Sequence, residues 1–551
     1  MAFEAIRTLW DVDVIMRDGV RLSADVYLPA APGTYPAIVQ RTPYDNTLPL
    51  WVGIAASFAE RGYVFVLQDV RGRGDSDGRF VPWVHEAEDG YDTVEWMAAQ
   101  PWCNGHVGMM GSSYGGYVVW AAASLKPPHL RAAASTSTAG RWWHESPYRN
   151  GAFGPTTLRW HFLTGGRSLQ GGLGINLPVD WARVMQHRPF READQFVGRT
   201  NTAWGDWIDH NTLDDYWQRI MVENFGEIAV PVLHVTGWYD GAQTSSIYNF
   251  QQMAAHSPQG ANQWAIFGPW DHGATRRNNT ELGGIKFTEA AVLDMDAIHL
   301  RFFDHFLKGE DNGQQDEARV KLFTLGSNTW RECPTFPPAD SIATPYYLHH
   351  QEGVRSLNTD LPGDEPADTY TYDPEDPTPA VPDLAAFFQG PYSLNQADYL
   401  EKRADVLVFT TDPVTEALEI TGTPRIALYA ATDAVDTDFA AVLSDVHPDG
   451  ASYYLCEGIM RLAFRDSLTH PTPAEPGTVY HLMFDLTSIS VLLLPGHCLR
   501  LTIASCRFPY TDRNPNTGAP VGHDAITRPA QQTIYHNSAY PSHIILPVRR
   551  A

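Results

Sequence analysis

Residues 107–125 read VGMMGSSYGGYVVWAAASL. A short apolar run, 107–111, meets a run of small and apolar residues, 115–125, at Gly111-Ser112-Ser113-Tyr114-Gly115. A strand that turns sharply into a helix presents a serine at its apex, and glycines on either side let strand and helix approach each other. Ser112 competes for the role, but only Ser113 has glycine two positions before and two after. The plainer reading is a chance turn in a Ser- and Gly-rich loop, so the surroundings decide.

Upstream, residues 11–28 alternate apolar and polar around Asp18-Gly19, which predicts a β-hairpin. Strand-like runs follow at 37–41 and 64–69, with helical spacing at 51–62 and 86–100. Another strand is expected at 130–136. Strands alternating with helices predict βαβ units and a parallel sheet. The alternation stops near Gly140. Residues 141–228, rich in Trp, Arg, Asn and Gly without a clear strand, read as an inserted, mostly helical region. Strands resume at 230–237 and 263–268, and one amphipathic helix is expected over 289–309. In the last third, short alternating runs at 425–430, 461–465, 478–486 and 498–506 predict an antiparallel sandwich or jelly roll. The Pro- and Asp-rich stretch 361–383 reads as a wrapping loop or linker rather than a sheet.

The chain has 551 residues, 43% of them hydrophobic and 12% aromatic, which excludes disorder as its main state. At roughly 150 residues per domain, the length allows about three to four domains. The formal charge of −25 repels phosphate backbones and anionic lipid, so neither nucleic acid nor a membrane is an expected partner. No apolar run approaches the about 18 residues of a membrane span, and the start does not read as a signal peptide. The five cysteines include no CxxC pair, which argues against a disulfide framework or zinc site and for a reducing cytoplasm.

A serine nucleophile needs a base, and the base needs an orienting acid. In α/β-hydrolases these follow in the order Ser, Asp or Glu, His. Asp240 lies just past the run 230–237, and His272 just past 263–268. Both therefore fall on loops at the carboxyl edge of the sheet, where ligands bind in open α/β folds.

The chain here resembles the cocaine esterase-like (CocE/NonD) hydrolases, which are related to X-prolyl dipeptidyl peptidases and α-amino-acid ester hydrolases. The resemblance runs through RTPYDN (41–46), QDVRGRGDSDG (68–78), GSSYGG (111–116), GWYDG (237–241), GPWDH (268–272) and FFDHFLKGEDNG (302–313). The segments YDPEDPTP (372–379) and DAVDTDF (433–439) extend it. It implies an α/β-hydrolase domain in two parts, 1–140 and 229–340. An inserted helical cap would occupy 141–228, and a C-terminal jelly roll 341–551. It implies Ser113 as nucleophile, Asp240 as acid and His272 as base. Tyr44 would donate its hydroxyl to the oxyanion, with the Tyr114 backbone N–H as second donor. Spacing alone would make Tyr44 a turn residue after Pro43. No cofactor and no metal is expected.

Trp51, Trp142, Trp143, Phe153 and Trp160 either line an apolar acyl pocket or simply pack the cap, since pockets and cores are lined alike. Gly72-Arg73-Gly74 lacks the third glycine of a dinucleotide loop and reads as a tight turn, with structural contacts from Asp69 and Arg71. Asp75 and Asp77 lack the closing Glu of a calcium loop. Asp433, Asp436 and Asp438 read as turn residues, His106 as structural, and His85-Glu86 as too isolated for zinc. α-Amino-acid ester hydrolases hold the substrate ammonium with carboxylates two and three residues after the acid. Here those positions are Ala242 and Gln243, although Glu145 or another cap acid could substitute. The expected activity is hydrolysis of a small carboxylic ester or amide, with an uncharged acyl group. The alternatives are an X-Pro dipeptidyl peptidase or a β-lactam or amino-acid ester acylase. More remote is a catalytically silent binding protein. Self-association is left open.

Overall fold

The computed structural model describes residues 6–167, 179–198, 201–276, 279–384 and 392–549. Its first layer is a ten-stranded sheet. The strands are β1 (Ile6–Ile15), β2 (Arg21–Pro29), β3 (Tyr35–Thr42), β4 (Val64–Asp69), β5 (Cys103–Ser112) and β6 (Leu130–Thr136). A short pair, β7 (Tyr148–Arg149) and β8 (Ala152–Phe153), stands apart from it. The sheet continues with β9 (Val232–Tyr239) and β10 (Gln263–Asp271). After a small hairpin, β11 (Glu281–Leu282) and β12 (Ile285–Lys286), it closes with β13 (Val320–Thr324) and β14 (Thr329–Cys333). The order is β1-β2-β4-β3-β5-β6-β9-β10-β13-β14. The seven strands from β4 to β13 are parallel, and antiparallel pairs flank them.

Side chains along a strand alternate between faces, and both faces of this sheet are covered. In β4, Val64 and Val66 point to one side and Phe65 and Leu67 to the other. The first side is packed by Val94 and Met97 of α2 (Glu86–Ala98) and by Val119, Trp120 and Ala122 of α3 (Tyr114–Ser124). The second is packed by Trp51, Ala55 and Phe58 of α1 (Pro49–Glu60) together with Phe302 and Phe303. Each large apolar side chain buried in this way stabilises the fold by about 1.5–3 kcal/mol.

Between β6 and β9 the chain leaves the sheet. This insertion contains β7, β8, α4 (Thr157–Thr164), α5 (Trp181–Gln186), α6 (Thr202–Asp209) and α7 (Asp215–Gln218). The sequence reading expected helices and no clear strand here, so the β7–β8 pair was not foreseen. It is only two residues a side, with Tyr148 opposite Phe153, too short to leave an alternating pattern. Helix α8 (Gln243–His256) follows β9. The single helix expected over 289–309 is broken into a 3₁₀ turn, α9 (Met295–Phe303) and a π-turn at Asp304–Lys308. The Asp294 side chain accepts from the Ala297 amide at 3.0 Å and starts α9 there. Gly309, at φ 75°, ends the π-turn.

From Ile342 to Arg549 the chain forms a second, fourteen-stranded, mostly antiparallel sheet. Three expectations change here. Within 361–383, Asp368–Tyr372 is a strand paired from Asp368↔Ile534 to Tyr372↔Ala530. Its DTYTY alternation buries Tyr370 and Tyr372, but the flanking prolines mask it in the sequence. In the run 461–465 only Arg461 is strand, because the Ala463 amide turns to donate to Asp436. Asp438 opens a strand instead of sitting in a turn, while Asp436, in the bend before it, fits the turn reading. Both are buried, and Asn514 donates to Asp436 and Asp438 at 3.0 and 2.7 Å. Arg461 forks onto Asp438 at 2.8 and 2.9 Å and also reaches Asp512 at 2.7 Å.

One buried guanidinium thus faces three buried carboxyl groups. Removing a single partner from such a group costs about 3–5 kcal/mol, because the others stay buried without compensation. Arg461→Met is expected to bring the thermal unfolding of this layer to clearly lower temperature. An unchanged transition in calorimetry would show that the carboxylates do not depend on Arg461.

Candidate active site

Three loops meet at the carboxyl ends of β5, β9 and β10. The first is the turn between β5 and α3. Ser113 sits there at φ 62°, ψ −120°, a region sparsely populated by non-glycine residues. Its amide donates to the Thr136 carbonyl at 3.0 Å, and its carbonyl accepts from Gly116 and Tyr117. A Cβ on Gly111 would lie 2.3 Å from the Gly115 oxygen, and one on Gly116 2.9 Å from the Thr136 oxygen. Glycine at these positions is therefore a steric requirement of the turn.

Asp240 follows β9 and is buried. Its Oδ1 accepts from the Ala242 amide at 2.9 Å, and its Oδ2 from the Thr236 hydroxyl at 2.9 Å. Burial pushes this carboxyl up, but the adjacent His272 and hydrogen bonds from the Ala242 amide and Ser137 outweigh it and hold the carboxyl below its ordinary range. His272 follows β10, in a loop pinned by Asp271, which accepts from the Gly273 and Ala274 amides. His272 Nδ1 lies 2.7 Å from Asp240 Oδ1, and its Nε2 lies 2.9 Å from Ser113 Oγ. The three residues chosen from the sequence are in direct contact.

Tyr44, two residues past β3, is buried, and its hydroxyl accepts from Trp160 Nε1 at 3.0 Å. The Tyr114 amide opens α3, among the first N–H groups of a helix, which have no partner inside it. The Tyr114 side chain points away, and its hydroxyl donates to Glu86 at 2.6 Å. Glu86 in turn faces Arg41 at 2.9 Å. The sequence reading missed Glu86. Its only signal, the adjacent His85, suggested a metal motif and no contact with the serine turn.

Ser113, Asp240, His272 and Tyr44 all face one cavity of about 1250 Å³. Of the aromatic candidates, Trp142 and Trp160 line it, joined by the unanticipated Trp83 and Trp207. The other three do not. Trp51 is on α1, packed under the opposite face of the sheet. Trp143 is fully buried and stacks on Tyr148 at 4.1 Å. Phe153 packs edge-on against Trp204 at 5.5 Å. Apolarity alone does not tell the wall of a cavity from the core behind it.

The second sheet also contributes to the wall, through Tyr454, Glu457 and Arg507. Arg507 Nε donates to Glu457 at 2.7 Å. Glu145 lines the cavity too, but it is turned to Ser245, accepting from the amide at 2.7 Å and from the hydroxyl at 3.1 Å. Gln243 is buried, and its carboxamide is spent on the Trp238 and Ser488 backbones. His106 Nδ1 contacts the Leu307 carbonyl at 2.9 Å, away from this site.

Two groups of His and Asp among the described residues have metal-ligand character, and both lie in the second sheet region. In His350–Asp368–His536, Arg355 already forks onto the Asp368 carboxylate at 2.9 and 2.7 Å. In Asp445–His447–His497, both imidazoles face the Asp445 carboxylate. No helix among the described residues is long and apolar enough to cross a membrane.

Comparison with known proteins gives a consistent result. Residues 18–274 match the family model for X-Pro dipeptidyl-peptidases (S15 family). Residues 312–545 match that for the X-Pro dipeptidyl-peptidase C-terminal non-catalytic domain. The chain is 34% identical to a cocaine esterase of Rhodococcus sp. (strain MB1 Bresler) over 573 aligned positions, covering 98% of both chains. Among solved structures, an α-amino acid ester hydrolase superimposes with a TM-score of 0.87 at 26% identity, covering 100% of this chain and 97% of that one. An aminopeptidase from a marine sediment archaeon, Thaumarchaeota archaeon, shares the fold with a TM-score of 0.89 at 24% identity, covering 100% and 98%.

Burial raises the Glu145 carboxyl to about 8, against the opposing pull of the Ser245 amide. The folded protein therefore holds a proton there that the unfolded chain releases near its ordinary value of 4.5. That contribution to stability is complete below about pH 4.5 and is lost as pH rises through about 8. Glu145→Gln removes the dependence. Its melting temperature should gain on the parent protein as pH rises from about 5 to about 8. Parallel pH profiles would show that Glu145 is ionised in the folded state.

Proposed function

The chain belongs to the cocaine esterase-like (CocE/NonD) hydrolases and is a serine hydrolase acting on esters, and from that premise we propose the following mechanism. Ser113 is the nucleophile, His272 the general base and Asp240 the residue that orients the imidazole. Ser113 Oγ attacks the ester carbonyl while His272 Nε2 takes its proton. Asp240, held by Thr236 and the Ala242 amide, accepts from His272 Nδ1 and stabilises the imidazolium. Negative charge develops on the former carbonyl oxygen, where the Tyr44 hydroxyl and the Tyr114 amide donate. His272 then returns the proton to the leaving alcohol. Water hydrolyses the acyl-enzyme by the same route. The observation that carries this reading is the unbroken chain Ser113–His272–Asp240 at 2.9 and 2.7 Å.

The frame we propose is an α/β-hydrolase sheet, interrupted at 141–228 by a cap and followed from 341 by a jelly roll. Its support is the break between β6 and β9 and the separate second sheet.

The substrate we propose is a small carboxylic ester with an uncharged acyl group. Four of the five carboxyl groups on the described cavity wall are committed to protein partners, Asp240 to His272, Asp271 to its own loop, Glu457 to Arg507 and Glu145 to Ser245, while the fifth, Glu281, is exposed. Glu145, raised to about 8, is moreover neutral at pH 7. Apart from Glu281, an ammonium group would find little free negative charge on this wall. This weighs against an X-Pro peptide or α-amino-acid ester, each of which presents a cationic amine.

A panel of p-nitrophenyl acyl esters, an aryl benzoate, an α-amino-acid ester and an Ala-Pro anilide tests both parts. The neutral esters should be preferred, and Ser113→Ala should abolish their turnover. Retained turnover would remove Ser113 from the mechanism, and preference for the amino-acid ester or anilide would overturn the substrate assignment. Tyr44→Phe should lower kcat roughly 10²–10³-fold, the usual cost of one oxyanion donor.

A further inference from the structure

The turn Arg71-Gly72-Arg73-Gly74 takes no part in the mechanism above, yet it is built with unusual constraint. Gly72 has φ 72° and Gly74 φ 49°. A Cβ on the first would fall 2.1 Å from the Phe80 amide nitrogen, and on the second 1.9 Å from Asp69 Oδ2. The turn aims Arg73 inward, where it is fully buried. Arg73 Nε donates to the Pro43 carbonyl at 2.8 Å, and Nη1 donates to the Thr164 carbonyl at 2.8 Å. Pro43 directly precedes Tyr44, and Thr164 ends α4, the helix that carries Trp160. The same turn is tied to the inserted region twice more. The Gly74 amide donates to the Arg167 carbonyl at 2.6 Å, and the Arg167 guanidinium donates to the Ser76 carbonyl at 2.7 Å.

The two elements braced by Arg73 meet at a hydrogen bond from Trp160 Nε1 to the Tyr44 oxygen at 3.0 Å. An indole nitrogen can only donate, so at this contact the phenol oxygen must accept. The phenolic hydrogen is thereby turned away from Trp160. The indole has little freedom to rotate. It is stacked between Trp83, at 5.5 Å and 11°, and Trp207, at 6.0 Å and 15°.

Resting on the reading of Tyr44 as an oxyanion donor, we infer that Trp160 is a positioning residue for catalysis. Its N–H orients the Tyr44 hydroxyl as a donor toward the oxyanion, and Arg73 braces the two elements in register. The inserted region thus helps to build the oxyanion site as well as covering it. A polarised phenol is also a better donor, because a hydrogen bond accepted by its oxygen strengthens the one it gives.

A double-mutant cycle tests this. Trp160→Phe keeps an aromatic ring and removes the donor. With a neutral p-nitrophenyl ester, kcat should fall about 5–10-fold, the scale of one lost hydrogen bond, while KM stays nearly unchanged. In the Tyr44→Phe background the same substitution should change kcat little, since there is no hydroxyl left to orient. An equal loss in both backgrounds, or a rise in KM alone, would overturn the inference and leave Tyr44 as oxyanion donor. A Tyr44→Phe protein with undiminished kcat would instead overturn the oxyanion reading, and this inference with it. If Trp160→Phe does not fold, β-(3-benzothienyl)alanine at position 160 replaces N–H by sulfur in the same shape, and the same outcomes apply.

Discussion

The backbone of Ser113 is the constraint on which the rest of the site depends. A serine at φ 62°, ψ −120° is strained by about 1–3 kcal/mol. It persists because β5 and α3 are each locked elsewhere, the strand between β3 and β6 and the helix against β5, β6 and α2. The close approach of strand and helix is possible only where Gly111 and Gly116 carry no Cβ. Beneath the turn, the Tyr114 phenol is anchored to Glu86, and Glu86 to Arg41. The first amides of α3 are thus fixed by a network buried behind them. In the proposed mechanism this preorganisation is the useful product of the strain, since donors set in advance need no reorganisation as charge develops.

Around the turn, parallel strands bring distant residues together. β5, β9 and β10 end at the same edge, so Ser113, Asp240 and His272 need only short loops to meet. The cavity above them is shared among three parts of the chain. The loops of the ten-stranded sheet supply Ser113, Asp240 and His272, the insertion supplies Trp142, Glu145, Trp160 and Trp207, and the second sheet region supplies Tyr454, Glu457 and Arg507. Aromatic rings from all three parts line the wall, and four of its five acids are committed to protein partners. The proposed preference for a neutral ester over a cationic peptide end rests on this wall.

Local signals made much of this legible in the sequence. The GSSYG turn sits between a strand pattern and a helix pattern, and the Asp and His each follow a strand, so order and position identified the contacting residues. Tyr44 is different, because spacing marked it only as a turn residue and its site role came from the family resemblance. What the sequence could not show is which side of an apolar residue meets empty space. Trp51, Trp143 and Phe153 are as apolar as Trp142 and Trp160, yet they face packed neighbours. Long-range partners were equally hidden: nothing near Arg461 in the chain points to Asp512, and nothing near Arg73 points to Thr164. Strands masked by proline, such as Asp368–Tyr372, and helices broken by an internal cap, as at Asp294, were misread for local reasons.

The central claim is that Ser113 is a nucleophile activated by His272 and Asp240. The most direct measurement is to treat the protein with a fluorophosphonate, map the modified peptide by mass spectrometry and follow ester turnover on the same sample. The account predicts one stoichiometric adduct on Ser113, with turnover lost in proportion to labelling. An adduct on another residue that alone abolishes turnover, or full turnover with Ser113 modified, would contradict it.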